Sequence, residues 1–137
     1  IDQIISLNLK TVIYGCQAAI PTMKAQGDGV IINVASACAK HAWPGWSVYT
    51  AAKMGVLGFS RCLYGEHRQD GIRVGTLIPG AADTNFSSAA NAVYGLTGES
   101  LANEDVAAAA YMMASLPPRA FTEELTIWGT NQEVVPL

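Results

Sequence analysis

Two short apolar runs, residues 30–35 and 72–78, constrain the fold of this chain more than any other feature. Both follow a glycine, both are rich in β-branched residues, and neither alternates strictly between apolar and polar side chains. Runs of this kind are typical of strands that are buried on both faces of a parallel sheet. A third run, Glu124 to Trp128, predicts a further short strand near the end of the chain.

Long helices are predicted before and after the first of these strands. In residues 1–26 the apolar side chains recur at intervals of three and four, and Pro21 is expected to loosen the last turns. Residues 47–68 have the same spacing, with Ser47 placed to act as the N-cap. Helices between strands require crossover connections, so the sequence predicts an α/β fold with a parallel sheet.

The last third of the chain predicts a loop and then a helix. Residues 81–101 are small and polar and show no clear period, which predicts either short helices or a long loop of the type that often covers an active site. Residues 103–115 are rich in alanine and predict a helix that Asn103 caps. The whole pattern corresponds to about three parallel strands with flanking helices.

Composition excludes several classes of function. The net charge is −3 and the basic residues are scattered, so nucleic acid and anionic membrane surfaces are not expected partners. No apolar segment reaches the roughly 20 residues of a membrane helix, and no signal peptide is visible. The three cysteines are widely spaced, which favours free thiols in a cytoplasmic protein over disulfides or a metal site.

A serine, a tyrosine and a lysine form a candidate proton-transfer site. Ser36 follows the first predicted strand, and in open α/β sheets ligands bind beyond the carboxyl ends of the strands. Tyr49 and Lys53 are four residues apart on one helix face, roughly 6 Å along the axis. A nearby ammonium favours the phenolate, so we expect Lys53 to lower the pKa of Tyr49 from its usual ~10. Tyr49 would exchange a proton with a substrate oxygen that Ser36 hydrogen-bonds.

These residues stand in a longer pattern that resembles the short-chain dehydrogenase/reductase family, and the resemblance covers almost the whole chain. Ser36 lies thirteen residues before the Tyr-x-x-x-Lys pair, and a Pro-Gly-x-x-x-Thr segment begins thirty residues after Tyr49. A bare Tyr-x-x-x-Lys is a weak motif, whereas the combination is specific. The matching pieces are Asn8-Leu9, Gly29 to Ser36, Tyr49 to Lys53, Gly71-Ile-Arg-Val, and Pro79 to Thr84.

The resemblance implies a role for each residue of the proton-transfer site. Ser36 is similar to the family's substrate-orienting serine, and Tyr49 to its acid/base. Lys53 is similar to the lysine that lowers the tyrosine pKa and binds the nicotinamide ribose. Asn8 is similar to the asparagine that anchors a water in a proton relay to that lysine. The implied reaction is hydride transfer between NAD(P) and a small carbonyl or alcohol substrate.

The resemblance also implies a cofactor-facing segment. Pro79, Gly80 and Ala82 correspond to the backbone that faces the nicotinamide, and Thr84 to the residue that bonds its carboxamide. Ala82 stands where the family often has Val or Ile, a change that a backbone contact would survive. Residues 116–132 resemble the 3-hydroxy acid and serine-type dehydrogenases, which favours NADP(H) over NAD(H).

In the family, the Gly-rich pyrophosphate turn and the first strands precede the position of Asn8, and this sequence has no counterpart of them. Residue 1 falls within an apparent helix. We therefore expect residues 1–137 to be the C-terminal portion of a single Rossmann-type domain, inactive alone, whose full-length form is a homodimer or homotetramer. Two alternatives are a related epimerase or dehydratase and a non-catalytic oligomerisation or scaffold module. The face with Gly55, Gly58 and Phe59 is expected to be either an oligomer contact or sheet-facing core.

Overall fold

The computed structural model describes residues 1–82 and 100–132. The described segments form an α/β fold with a parallel sheet and flanking helices, as the sequence predicts. The α-helices are α1 (Asp2–Ile5), α2 (Thr11–Gln26), α3 (Ser47–His67) and α4 (Asn103–Ala114), and the strands are β1 (Gly29–Val34), β2 (Ile72–Pro79) and β3 (Glu124–Ile127). A π-helical segment (Ser6–Lys10) joins α1 to α2, and short 3₁₀ turns occupy Ala37–Ala39 and Arg68–Asp70.

The three strands lie in the order β1-β2-β3, and both pairings are parallel. In the first pairing, Gly29 lies opposite Ile72 at one end and Val34 lies opposite Leu77 at the other. The second pairing ends with Pro79 opposite Ile127. Because the strands are parallel, the residues that follow all three of them emerge at one edge of the sheet, which we call the carboxyl edge.

Helices cover both faces of the sheet. On one face, Cys16 of α2 and Leu63 of α3 pack with Ile72 and Val74 of β2 in the hydrophobic core. On the other face, the Sδ-methyl carbon of Met113 in α4 lies 3.0 Å from where a Cβ on Gly75 would stand. These three layers are those of a doubly wound fold.

The sequence predicts the extent of the first helical region correctly, but it does not predict the π-helical segment within it. It ends at Gly27, whose φ of 70° is the left-handed conformation that favours glycine at a helix end. The π-helical segment near its start was not expected. Leu9 in that segment packs against Gly55 of α3, where a Cβ would lie 3.1 Å from a Leu9 methyl carbon. Gly55 therefore permits close helix packing within the chain.

Several finer predictions need correction. Trp46, not Ser47, is the N-cap of α3, and Ala102, not Asn103, is the N-cap of α4. Neither helix has a capping side chain at that position; in α4 the Asp105 carboxylate accepts from the main-chain N–H of Ala102 at 2.9 Å.

Strand burial also differs from the prediction in part. Six of the eight residues of β2 are buried, whereas β1 has one buried residue, Asn33, and leaves Val34 44% exposed. Within the described residues β1 pairs only with β2, which accounts for its lower burial.

Phe59 packs on the core cluster, which favours the core interpretation of that helix position. Most of the predicted loop, residues 83–99, lies outside the described residues.

Candidate active site

Ser36 occupies the carboxyl edge directly after β1. Its backbone is extended and it caps the 3₁₀ turn Ala37–Ala39. The Ser36 Oγ accepts a hydrogen bond from the main-chain N–H of Cys38 at 3.2 Å. One acceptor position of the hydroxyl is thereby fixed by the turn, and its proton is left to be donated in another direction.

Tyr49 lies in the first turn of α3 and faces Ser36. The turn that leads into the helix is closed by the Trp46 N–H, which donates to the Trp43 carbonyl at 3.2 Å. The Trp46 ring packs edge-on against the Tyr49 ring, with 5.5 Å between centroids. Burial raises the pKa of Tyr49, and a hydrogen bond with the Ser36 side chain only partly offsets that rise.

Lys53 lies one helical turn after Tyr49 and points toward the end of β1. Its Nζ donates to the Val34 carbonyl at 3.3 Å and lies 5.6 Å from the centre of the Tyr49 ring. Burial lowers the pKa of Lys53 because the charged ammonium is partly removed from water. The structure therefore brings together the three side chains that the sequence pattern singles out.

The direction of the Tyr49 shift is opposite to the sequence-based expectation. Lys53 was expected to lower the pKa of Tyr49, but burial dominates and the pKa is raised. Burial acts on both groups in the sense that disfavours charge, raising the pKa of the phenol and lowering that of the ammonium. A lowered Tyr49 pKa is therefore not a property of these side chains alone.

Cys38 is a member of this site that the sequence motif does not include. Its side chain is buried, and burial raises the pKa of the thiol despite the hydrogen bond with Ser36 and the nearby charge of Lys53. A buried thiol is thus a neighbour of both Ser36 and Lys53. Its position two residues after that serine is the only signal in the sequence that could have indicated it.

Asn8 lies in the π-helical segment, and its Nδ2 donates to the Ile4 carbonyl at 3.1 Å. The next residue, Leu9, packs on Gly55, two positions beyond Lys53. The segment that carries Asn8 is therefore held against the helix that carries Lys53. The relay role implied for Asn8 stays a prediction.

Pro79 ends β2 and residues 80–82 follow it at the same carboxyl edge, where two main-chain donors are already used. The Gly80 N–H donates to the Ile127 carbonyl at 2.8 Å, and the Ala81 N–H donates to Oε1 of Gln132 at 3.0 Å. A Cβ on Gly80 would lie 2.5 Å from that same Oε1, so Gly80 permits the segment after β3 to pack here. Thr84 lies outside the described residues.

A second polar cluster lies deeper between β1 and α3, and sequence reasoning missed it. Asn33 donates through Nδ2 to Ser60 Oγ at 2.9 Å, and the Cys16 thiol lies 3.5 Å from Asn33 Oδ1. Ser60 in turn donates to the Val56 carbonyl at 2.7 Å. All three polar side chains are buried. We call this set, Cys16, Asn33 and Ser60, the interior cluster.

The parts of the chain that the structure describes show neither a membrane-crossing helix nor a metal-binding group. None of the helices there combines the length and apolar character that crossing a bilayer requires. Within the same residues, no three His, Cys, Asp or Glu side chains are grouped so that they could hold a metal ion.

Comparison with known proteins gives consistent matches. A family model described as short chain dehydrogenase matches residues 1–94. The 2-(R)-hydroxypropyl-CoM dehydrogenase of Xanthobacter autotrophicus is 36% identical over 83 residues, which is 61% of this chain and 33% of that protein.

Solved structures agree with the sequence matches. Serine dehydrogenase from Escherichia coli superposes with a TM-score of 0.74 at 28% identity, over 88% of this chain and 49% of that one. A closed form of serine dehydrogenase complexed with NADP+ gives a TM-score of 0.78 at 26% identity, over 88% of this chain and 52% of that one. The chain thus spans about half the length of both structures.

Proposed function

Because the chain belongs to the short chain dehydrogenase family, we propose that it is the C-terminal portion of a Rossmann-type NAD(P)-dependent oxidoreductase. The reaction is interconversion of a carbonyl and an alcohol in a small substrate. The observation that carries this proposal is the meeting of Ser36, Tyr49 and Lys53 at the carboxyl edge of the sheet. The epimerase, dehydratase and scaffold alternatives have no specific observation in their favour.

Tyr49 exchanges the proton with the substrate oxygen. In the reducing direction its hydroxyl protonates the oxygen of the carbonyl, and in the oxidising direction its phenolate takes the alcohol proton. Ser36 donates a hydrogen bond to the same oxygen, because the Cys38 N–H already occupies one acceptor position of its hydroxyl. Each pKa unit by which Tyr49 must fall requires about 1.4 kcal/mol of differential interaction with its surroundings.

The donors at this edge fit a nicotinamide nucleotide. When bound, that cofactor supplies or accepts the hydride. The Lys53 ammonium is suited to hydrogen-bond ribose hydroxyls, and the backbone of residues 79–82 borders the same edge. The N–H groups of Gly80 and Ala81 already donate hydrogen bonds within the chain. The segment would therefore make van der Waals contact with the nicotinamide ring and would not donate hydrogen bonds to it from these two groups. Thr84 is proposed as the carboxamide partner.

A serine-type or 3-hydroxy acid substrate and NADP(H) are the preferred finer assignments. They are supported by the similarity of residues 116–132 to that subgroup and by the likeness to the NADP+ complex of serine dehydrogenase. A cytoplasmic location and a homodimeric or homotetrameric full-length enzyme belong to the same proposal.

The test of the mechanism is Tyr49→Phe in the full-length enzyme. We expect kcat/KM to fall by at least about 10³-fold, the scale of a lost general acid. Tyr64→Phe on the same helix is the matched control and should leave kcat/KM within about twofold of the wild type, because Tyr64 stacks on Phe121 away from Ser36. Unchanged turnover of every accepted substrate by Tyr49→Phe would refute the mechanism.

The domain assignment has a separate test. The chain of 137 residues should bind NADP(H) weakly and show no turnover. A Gly-rich turn at a helix N-terminus holds the pyrophosphate of a dinucleotide, and this sequence has no counterpart of that turn. Fluorescence titration of the isolated chain with NADPH measures this directly. Submicromolar binding would show that the chain holds the cofactor without further segments.

A further inference from the structure

Glu124, the first residue of β3, makes two ion pairs with side chains from two other elements. Lys40 Nζ lies 2.6 Å from Glu124 Oε2, and Arg61 Nε donates to Glu124 Oε1 at 2.7 Å. Burial alone would raise the pKa of Glu124, but the hydrogen bonds from Lys40 and Arg61 hold it below its ordinary value. Both carboxylate oxygens are therefore occupied by cations at neutral pH.

The two cations belong to the two elements that form the candidate active site. Lys40 ends the 3₁₀ turn that begins at Ser36. Arg61 lies on α3, eight residues after Lys53 on the helix that also carries Tyr49. Glu124 thus connects the loop that presents Ser36 with the helix that presents the tyrosine and the lysine.

The connection between Lys40 and Ser36 is short and stiff. The Ala39 N–H donates to the Ser36 carbonyl at 2.8 Å, and the Lys40 N–H donates to the Ala37 carbonyl at 3.0 Å. With the turn closed in this way, a displacement of Lys40 is transmitted to Ser36. The next residue, His41, packs edge-on against Trp128 with 5.7 Å between ring centroids. The loop therefore contacts Glu124 at the start of β3 through Lys40 and Trp128 just after β3 through His41.

The burial of Glu124 separates this network from an ordinary surface ion pair. Its side chain is 16% exposed and those of Lys40 and Arg61 are 37% and 53% exposed, so the carboxylate is the buried member of a network of three charges. Isolated exposed pairs contribute little to stability, whereas several charges joined in one network contribute more. A fixed geometry is what the placement of Ser36 relative to Tyr49 requires.

We propose that Glu124 is a positioning residue for the reaction: through Lys40 and Arg61 it sets the position of the Ser36 hydroxyl relative to Tyr49. This inference rests on the proposed function of the site. It predicts that loss of the carboxylate slows turnover by displacing Ser36, with the Tyr49–Lys53 helix turn left intact.

The experiment is a double-mutant cycle in the full-length enzyme. Glu124→Gln should lower kcat about tenfold or more, with the KM for NADP(H) unchanged within about twofold, because small displacements of a positioned group are costly. In a Ser36→Ala background the same substitution should lower kcat by less than about twofold, since the group it positions is gone. Glu124→Asp, which keeps the charge, should recover part of the rate.

The matched control is Glu123→Gln, which removes an exposed carboxylate one residue away and should leave kcat unchanged. Where Glu124→Gln does not fold, Lys40→Met carries the same cycle, because it removes the loop contact and leaves the Arg61 pair in place. Equal losses in the wild-type and Ser36→Ala backgrounds would overturn the positioning role, as would a Glu124→Gln enzyme that matches Glu123→Gln. A failure of the proposed function is distinct, because Ser36→Ala and Tyr49→Phe would then themselves leave turnover unchanged.

Discussion

Two polar clusters connect β1 to α3, and they differ in how their polar groups are satisfied. The interior cluster pairs Asn33 with Ser60 and Cys16, each a neutral group hydrogen-bonded to another. We call Ser36, Tyr49 and Lys53, at the carboxyl edge, the active-site cluster. Its tyrosine and lysine are both ionisable, and burial shifts the pKa of each against its charged form. The two clusters are separated by only three positions along β1 and its extension, from Asn33 to Ser36.

The contrast separates a role in folding from a role in chemistry. Buried polar groups that satisfy one another add modest net stability and are costly to disrupt. Ionisable groups held partly buried reduce stability, and they are typical of sites that must change charge during a reaction. We therefore expect substitutions in the interior cluster to act on unfolding and substitutions in the active-site cluster to act on turnover.

The first test of this contrast is Ser36→Ala, which is expected to lower turnover. Loss of the hydroxyl should lower kcat about 10²-fold, equivalent to about 2.7 kcal/mol, because the substrate oxygen loses a donor in the transition state. The free energy of unfolding should change by less than about 0.5 kcal/mol. Steady-state kinetics and urea unfolding of the full-length enzyme measure the two quantities.

Ser47→Ala is the matched control for that substitution. Ser47 is exposed at the start of α3 and forms no side-chain cap, so both quantities should stay at their wild-type values. If Ser36→Ala destabilised the fold and left kcat unchanged, Ser36 would belong with the interior cluster.

Much of the fold could be predicted because its signals are local. The apolar, β-branched runs at β1 and β2 indicate buried parallel strands, and the helical spacing between them requires the crossover that places Ser36 near Tyr49. The predicted N-caps of α3 and α4 were wrong by one residue. The observed N-caps, Trp46 and Ala102, are not residue types whose side chains cap helices, so the sequence does not indicate them. Helix ends are seldom specified more closely by sequence.

The features that were missed depend on contacts between distant residues or on small backbone adjustments. Asn33 and Ser60 are 27 residues apart, and Lys40 and Glu124 are 84 apart in the numbering, so neither pair leaves a local pattern. The π-helical segment Ser6–Lys10 changes the hydrogen bonding of one turn without breaking the apolar spacing of threes and fours. The raised pKa of Tyr49 follows from burial, which a motif does not report.

A smaller effect is expected from Asn33→Ala, which acts on the interior cluster. The substitution removes the donor to Ser60 and the partner of the Cys16 thiol, and we expect the free energy of unfolding to fall by about 2 kcal/mol. Because Ser36 and Tyr49 keep their contacts, kcat should stay within about twofold. Urea unfolding and steady-state kinetics of the full-length enzyme check both statements.

The control for the interior cluster is Asn103→Ala. Asn103 is exposed at the first position of α4 and makes no side-chain cap, so its loss should change stability by less than about 0.5 kcal/mol. Equal destabilisation by the two substitutions would mean that the interior hydrogen bonds add nothing beyond an exposed asparagine.

A gain in stability is expected from Lys53→Met in the active-site cluster. Burial lowers the pKa of Lys53, so at pH 7 the folded state holds a charge that the unfolded state holds more favourably. A methionine of similar length removes that penalty, and the free energy of unfolding should rise by up to about 1 kcal/mol while turnover is lost. Lys10→Met, at an exposed position, is the control.

The pH dependence of this gain in stability shows whether it comes from removing a buried charge or from better packing of the side chain. A lowered pKa in the folded state means that the wild type recovers stability as pH rises from the folded value toward 10.5, the value of an unperturbed lysine. The advantage of Lys53→Met over the wild type should therefore shrink between pH 7 and pH 10.5. Urea unfolding at several pH values measures it, and an advantage that stays constant over that range would assign the gain to packing of the methionine side chain.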